Sequence, residues 1–478
     1  CKKTRGLILE KFKSFITEEK KPYKLLVVST RPNKKRMYHT TQRLMDESKK
    51  RNIDAYALFA ESANIDSVNN QVWNSGEKKF SIDSENTLAI IRGSVARKDA
   101  YMNLVSQLEK MGIAVVNSRE TIGMCADKYR TALRLAETDV ATPKTSLLQS
   151  IETLQDTLDS VEETYPLILK TLRGSKGIGV IFIESRRQLE SIIQLLWDKT
   201  HYGGDTELLL QTYIKTDHDV RVLVLGDKVF AAMRRDVLKG DFRSNASLGA
   251  KVKEYKLSEE EKELCLNAHK AVNGVYTAVD FIRNGNDSYV LEINSSPGTS
   301  GIEDATGRNL MGELLEYFMD RDNWRYVGNE IGRLERIKIE GVGDVVANFD
   351  TGNSARCIIH ADEYEVKNKQ VLWKSFGKTY KNKLLKMGKW ERGALDAKVI
   401  ERPIILLDIT FNGKLYKNVK FALDDRTEKT TKCLMNQDFM QRAKVLINPS
   451  RKFIVTEIYD SFEIFLKKKE KILWVVLN

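Results

Sequence analysis

The 478-residue sequence predicts an α/β and α+β chain followed by a mainly-β domain, and three observations carry that reading. Apolar strands alternate with helical stretches over residues 24–118. A glycine loop between strands and two strand–turn–strand patterns follow. From Ile337 onward β patterns dominate. The usual domain length gives about three domains for such a chain, and 42% hydrophobic content is ample for packed cores.

Residues 1–22 form a basic, partly amphipathic leader ended by Pro22, and a start at Cys1 without methionine reads as a processed or trimmed end. Residues 23–117 carry the strand KLLVVST, a helix from about Tyr38 to Arg51, the strands AYALFAE and LAIIRGS, a helix through Leu104–Met111 and the strand IAVVNS. That order is a small α/β domain with parallel strands. No G-x-G-x-x-G follows the first strand, so the dinucleotide-binding fingerprint is missing. Residues 118–325 open with a helix from about Arg119 to Glu137. There follow the strand YPLILK, the loop TLRGSKGIG, the strand VIFIE, a helix to about Trp197, the strand ELLLQTYI and the hairpin DVRVLVLGDKVFAAMRR. A helix beginning near Ser258, a second hairpin and a helix over 309–317 close the region. Residues 333–478 are expected to form a β domain, with GVGDVVANFDTG, VLWKSF, RPIILLDITF, YKNVKFAL and KVLINPSRKFIVTEI as its strand-forming segments.

Composition narrows the function classes. No run of about 18 apolar residues exists, and the amino end lacks the apolar core of a signal peptide, so a soluble cytoplasmic chain with no membrane partner is expected. The five cysteines, Cys1, Cys125, Cys265, Cys357 and Cys433, lack C-x-x-C spacing, which argues against a disulfide framework or a cysteine zinc site. A net charge of +12 attracts acidic partners: nucleic acid, ribosomes, nucleotides or polyglutamate tails. No basic motif is interleaved with aromatics, so sequence-specific nucleic-acid binding is not expected.

The most informative stretch is the hairpin VYTAVDFIRNGNDSYVLEINSSPG. If its turn centres on Asn286, Asp280 lies across from Glu292, and Asn294, two residues on, shares their face. Three hard oxygen ligands then converge, as Mg²⁺ requires when water and phosphates supply the rest. Taken alone, the hairpin fits a solvated polar face better. Upstream, the loop Gly174–Ser175–Lys176–Gly177–Ile178–Gly179 lies between two strands, so backbone N–H groups can approach phosphate oxygens. Lys170 before it and Lys128 on the preceding helix offer neutralising charge.

In this order the parts resemble the ATP-grasp superfamily, and most closely RimK-type glutamate ligases, over residues 24–321. The segments EKMGIAVVNS, DKYRTALRLA, PLILKTLRGSKGIGVIF, LLQTYIK, GDFRSNASLGA and VLEINSSPGTSGIEDATG carry the likeness. The resemblance implies an ATP-grasp fold preceded by the small α/β domain, with ATP and Mg²⁺, replaceable by Mn²⁺, as cofactors. It also implies an activity that joins an amino acid, glutamate above all, to a peptide or protein end, ribosomal in the type family, through an acylphosphate. By position it implies that Lys128, Lys170 and the loop 174–179 hold phosphates. It makes Gln211, Thr212, Tyr213 and Ile214 the adenine hinge, with Thr212 where the family has glutamate, and puts Asp219 near the ribose. Arg243, Ser244 and Asn245 match an ATP-proximal triplet, and Asp280, Glu292 and Asn294 the metal ligands. Arg243 is the candidate for stabilising the tetrahedral oxyanion. Arg92, in IIRGS, matches an arginine near the acceptor cleft; pairing with a substrate carboxylate and pairing with a structural acid remain equal readings.

In the last region the sharpest feature is Asp350–Thr351–Gly352 after a hydrophobic strand, followed by a flap-like EVKNKQVLWKS. These segments resemble RimB-like peptidases with a retropepsin-like barrel. The resemblance implies a catalytic Asp350 and, with one such tripeptide per chain, a homo-oligomer that brings two aspartates together. The alternative is a binding barrel in which Asp350 caps a turn. Where that family has glycine this chain has Asn436, which can adopt the left-handed conformation glycine would supply, at some cost. His360 lacks a second ligand at metal spacing and is not taken as a zinc site.

Overall fold

The computed structural model describes residues 22–456 apart from 32, 34–35, 175–178, 198–205, 238–251 and 392–398. The chain divides into two compact units, Cys1–Val327 and Gly328–Asn478. The leader, apart from Pro22, lies outside the described residues.

In the first unit, strands Lys24–Ser29, Asp54–Phe59, Thr87–Ile91 and Ala114–Val116 form a four-stranded parallel sheet. Their near-continuous Val, Leu and Ile content reflects burial on both faces, and the period-2 alternation sends neighbours to different cores. Leu26, Val28, Ala89, Ile91 and Val115 pack with Met102, Val105 and Leu108 of the helix Asp99–Lys110. Leu25, Val27, Leu88, Ile90 and Val116 pack with Leu44 of the helix His39–Lys50, and also with Leu223, Met233, Tyr276, Ala278 and Leu314. Residues 23–117 and the region after them therefore share one core.

That following region holds two antiparallel sheets. One orders Val180–Ile183, Leu167–Thr171, Leu208–Thr212 and Thr145–Leu148. The other orders Val252–Glu254, Lys228–Asp236, His218–Leu225, Tyr276–Asn284 and Asp287–Asn294. The helix Glu259–Ala271 starts at a capping box, Ser258 accepting from Glu261 N while the Glu261 carboxylate accepts from Ser258 N. It covers Val220, Val222, Val279 and Phe281 on one face of the second sheet.

Several elements differ from expectation. The helix expected over 119–137 is two, Arg119–Ala126 and Lys128–Glu137. Asp127 breaks it because its carboxylate caps the second helix, accepting from Tyr129 N and Arg130 N at 3.0 Å each. A small antiparallel sheet, Ala63–Asp66, Gln71–Asn74 and Phe80–Ser81, fills a stretch with no expected element. The strand Thr145–Leu148 and the helices Leu154–Ser160 and Ser300–Thr306 are also additional.

The second unit is built on a seven-stranded sheet ordered Leu334–Ile339, Gly343–Phe349, Cys433–Met435, Cys357–His360, Lys414–Asp424, Val399–Phe411 and Lys386–Glu391. Lys338 and Ile339 also pair with Thr410 and Ile409, so the sheet closes into a barrel around Ile337, Phe349, Phe411, Phe421 and Phe439. The short strand Cys433–Met435 threads between the strands on either side of the Asp350 turn, parallel to one and antiparallel to the other. Asn436 has φ −101° and caps the helix Gln437–Ala443, its side chain accepting from Phe439 N. The left-handed conformation open to an asparagine is not used, because the chain turns there into a helix. A separate three-stranded sheet, Glu363–Lys367, Gln370–Ser375 and Lys378–Lys383, includes the expected flap hairpin.

Candidate active site

The site begins where a core ends. Along the strand His218–Leu225, Leu225 and Leu223 pack into the core shared with the parallel sheet, and the same face continues with Arg221 and Asp219. Opposite, Ala278 belongs to that core and Asp280 comes next on the face. Asp280 does pair with Glu292, but not because the turn centres on Asn286. The turn is Gly285–Asn286, between the paired Asn284 and Asp287, with Gly285 at φ +64°. A β-bulge between Asp280 and Phe281, with Leu291 as the extra residue, then moves the register by one and brings Glu292 opposite. Asn294, paired with Ala278, is half-buried, and its Oδ1 accepts from Ser296 N at 2.9 Å.

Two arginines that sequence reading passed over dominate the electrostatics. Arg221 donates to both Asp280 oxygens, Nε to Oδ1 at 2.7 Å and Nη2 to Oδ2 at 2.6 Å, and Nη2 lies 3.8 Å from Glu292 Oε1. Arg235 donates to both Asp219 oxygens and, through Nη2, to Asp280 Oδ2 at 2.9 Å. Burial opposes ionisation of Asp280, yet the two guanidinium groups overcome it and hold its carboxyl well below the usual range. Glu292 goes the other way: its enclosed position and then the Asp280 carboxylate push its carboxyl up. Half its side chain still meets solvent, so Glu292 lines a recess rather than a sealed core. The signal for Arg221 and Arg235 was a charged residue alternating with valines or following VFAAM. The pairing across strands that gives it meaning is not visible in one strand.

The first antiparallel sheet supplies the cations. Lys170 Nζ donates to Gln211 Oε1 at 2.5 Å, and Gln211 Nε2 donates to Thr145 Oγ1 at 2.8 Å. Burial lowers the Lys170 ammonium to about 8, against the opposing pull of Glu292. Lys128 opens its helix, and its Nζ donates to the carbonyls of Thr171, Leu172 and Gly174 at 3.2–3.4 Å. It too is lowered by burial, while Glu292 raises it. Lys128, Lys170, Asp280 and Glu292 are thus brought into one electrostatic neighbourhood from two sheets and a helix.

The glycine loop is closed by Thr171 N donating to Gly179 O at 3.0 Å. Gly179 has φ +77°, and a Cβ there would lie 2.4 Å from Thr171 Oγ1, so no other residue fits without displacing that side chain. Ser175, Lys176, Gly177 and Ile178, and likewise Arg243, Ser244 and Asn245, lie outside the described residues. Thr212 ends its strand with N donating to Lys144 O, Tyr213 meets Phe182 edge-on at 5.0 Å, and Ile214 is half-buried beyond them. Asp219 is buried against Arg235, so contact with a ribose requires that pair to loosen. Arg92 is buried and donates through Nη2 to Ser296 O at 3.3 Å and Pro297 O at 3.0 Å. It has no carboxylate partner among the described residues, and its Nε has no acceptor there, which leaves the structural-acid reading without an acid. Asn117 fixes the hairpin base: its Nδ2 donates to Tyr276 O and Ser295 O, and its Oδ1 accepts from Val275 N and Tyr276 N.

As metal ligands the expected set is two carboxylates and an amide. Among the described residues no group of three His, Cys, Asp or Glu could hold a metal ion. Two carboxylates and an amide are hard oxygens of the kind an ion takes when phosphates and water supply the rest, but here both Asp280 oxygens already accept from Arg221 and Arg235.

Comparison with known proteins places the chain in a family. Residues 125–318 match the model of the RimK-like ATP-grasp domain. The chain is 34% identical over 284 residues to probable alpha-L-glutamate ligase 2 of Shewanella amazonensis, covering 58% of this chain and 91% of that protein. It is 36% identical over 216 residues to a probable alpha-L-glutamate ligase of Coxiella burnetii, covering 45% and 70%. Among solved structures, a RimK domain ATP-grasp protein from Sphaerobacter thermophilus is 18% identical, with a TM-score of 0.46 over 61% of this chain and 98% of that one. The chain belongs to the RimK-like ATP-grasp family, enzymes that form carbon–nitrogen bonds between a carboxylate and an amine.

Proposed function

We propose that the chain uses ATP and Mg²⁺ to join an amino acid, glutamate above all, to the end of a peptide or protein. The electrostatic linkage of Lys128 and Lys170 to Glu292, which lies across from Asp280, is what carries this reading. Asp280, Glu292 and Asn294 would hold Mg²⁺, which neutralises charge on the phosphates when bound. A carboxylate is a poor acyl donor because its leaving group would be oxide. Transfer of the γ-phosphoryl to its oxygen, with ADP departing, makes phosphate the leaving group, and the attacking amine expels it. Lys128 and Lys170 are suited to orient the phosphates, the loop 174–179 to cover them, and the hinge 211–214 to receive adenine, as Arg243–Asn245 are to flank the nucleotide. Arg92, buried and without an acid among the described residues, is suited to bind the acceptor carboxylate.

For the second unit, the strand Cys433–Met435 threaded beside the Asp350 turn favours a retropepsin-like peptidase that trims such products, acting as a homodimer. Asp350 N donates to Met435 O, and Gly352 N to Asp350 Oδ1 at 3.0 Å, which serves a turn cap equally well. One experiment tests both readings. Incubated with ATP, Mg²⁺, single amino acids and a peptide acceptor, the protein should release ADP and add a mass of one or more glutamates. If a second activity exists, longer products should shorten with time and Asp350→Asn should stop the shortening alone. A product carrying no added residue with any amino acid rejects the ligase reading, and lengths that never fall reject the peptidase.

The lowered Lys170 gives a pH dependence with a definite sign. Below about pH 8 the ammonium is already charged and meets phosphate directly. Above it, nucleotide binding must take up a proton, so the Kd for ATP should rise by up to about tenfold per pH unit. Calorimetric titration across this range should find the rise in wild type and a flat profile in Lys170→Arg, which stays charged. A flat wild-type profile would remove Lys170 from the phosphate site.

A further inference from the structure

The three-stranded sheet of the second unit carries a charge pattern that the proposed chemistry does not use. Its register places Glu363, Glu365 and Lys367, then Gln370, Leu372 and Lys374, then Thr379, Lys381 and Lys383 on one exposed face. Both acids of that face are already engaged, Glu365 by Lys367 at 3.5 Å and Glu363 by Lys374. Lys381 and Lys383, on the opposite edge, have no carboxylate partner among the described residues. Lys369, in the hairpin turn, joins them: its carbonyl accepts from Leu384 N at 2.9 Å, which sets it beside Lys383. Uncompensated positive charge is therefore gathered along the Lys378–Lys383 strand, and among the described residues no strand pairs with that strand's other edge.

We propose that this edge binds an extended, glutamate-rich peptide as an added strand. An edge strand offers main-chain hydrogen bonds to a chain laid alongside it, and side chains two residues apart on the newcomer face Lys381 and Lys383 with the same repeat. Nucleic acid suits the surface less well, because the face has no ring for bases to stack on. Trp373 and Tyr380 lie on the other face, stacked on each other at 4.6 Å, with Trp373 buried. Lysines also keep edge strands from pairing with other chains. That role needs charge only on the edge strand, and it does not account for Lys369 in the turn or for the confinement of both acids to the far strand. Choosing glutamate as the acid rests on the proposed ligase function; the charge argument does not.

The test is fluorescence anisotropy with labelled oligo-glutamate and the full-length protein without ATP. Wild type should bind, more weakly as salt rises, and Lys381→Glu/Lys383→Glu should bind at least about tenfold more weakly. Ligase turnover on the same preparations should be unchanged, and hydrogen exchange at the amides of the barrel strand Val399–Phe411 should match wild type, which shows that the second unit of the variant is folded. Lys170→Met should keep wild-type peptide affinity, separating this edge from the phosphate cleft. The proposal is overturned by no binding, by unchanged binding in the double variant, or by an oligo-uridylate that binds as tightly as oligo-glutamate. Any of these alongside intact glutamate addition would leave the ligase reading standing.

Discussion

Asp280→Ala is expected to unfold the nucleotide half of the protein more readily as well as to stop ADP formation. An alanine there leaves Arg221 and Arg235 in a buried position without their shared carboxylate, and removing one partner of a buried ion pair costs about 3–5 kcal/mol. From sequence alone this substitution looks like a neutral way to remove a metal ligand. The structure makes it a poor one, because Asp280 is also the counter-charge of two arginines. Glu292→Gln is the cleaner probe. Glu292 is half open to solvent and its nearest cation, Arg221, is 3.8 Å away and committed to Asp280. It should keep wild-type stability while losing on the order of a hundredfold or more in ADP release. Denaturant melts and a coupled ADP assay on both variants check this. Equal stability of Asp280→Ala and wild type would mean that the arginines find other partners, and full activity of Glu292→Gln would remove it from the metal set.

The second large effect is expected far from any chemistry, at Glu335. This carboxylate is wholly buried, accepting from Gly332 N at 2.7 Å, Ile454 N at 2.8 Å, Thr456 N at 3.2 Å and the Thr456 hydroxyl. It ties the segment 451–456 to the first strands of the barrel, assisted by Phe453 N donating to Leu334 O. Glu335→Ala should strand those N–H groups, at about 1–3 kcal/mol for each that water cannot reach. The segment should open to relieve them, so the measured loss should settle near about 3 kcal/mol. Hydrogen exchange at Ile454 and Thr456 should accelerate accordingly, while exchange in the first unit stays unchanged. Protection that persists at those amides would show that other contacts hold the segment.

How much of this was legible in the sequence depended on whether a signal was local. The helix beginning near Ser258 and the alternating strands of the parallel sheet are each written within a few residues, and the structure has an element at each. The break at Asp127 was local too, an aspartate ahead of a helical run, but apolar periodicity on both sides concealed it. The helix Ser300–Thr306 contains Gly301 and starts from a proline-glycine stretch, which reads as loop. Non-local features were out of reach. Arg221 and Arg235 acquire their role from pairing with Asp280 and Asp219 across strands, and Asn117 from hydrogen bonds to residues more than 150 positions away. The core shared by the parallel sheet and the hairpin region likewise made the first α/β segment look more independent than its packing is.

The bulge at Leu291 gives the hairpin an uneven tolerance for change. The tip around Gly285 and Asn286 is exposed and touches little, so many single replacements there should pass unnoticed, apart from the backbone preference at Gly285. Length is another matter. One residue gained or lost between Asp280 and Glu292 would turn Glu292 and Asn294 toward the opposite side of the sheet, into space held by the helix Glu259–Ala271. Descendants of this sequence should therefore vary freely in the letters of that loop while keeping the same number of residues between the two acids.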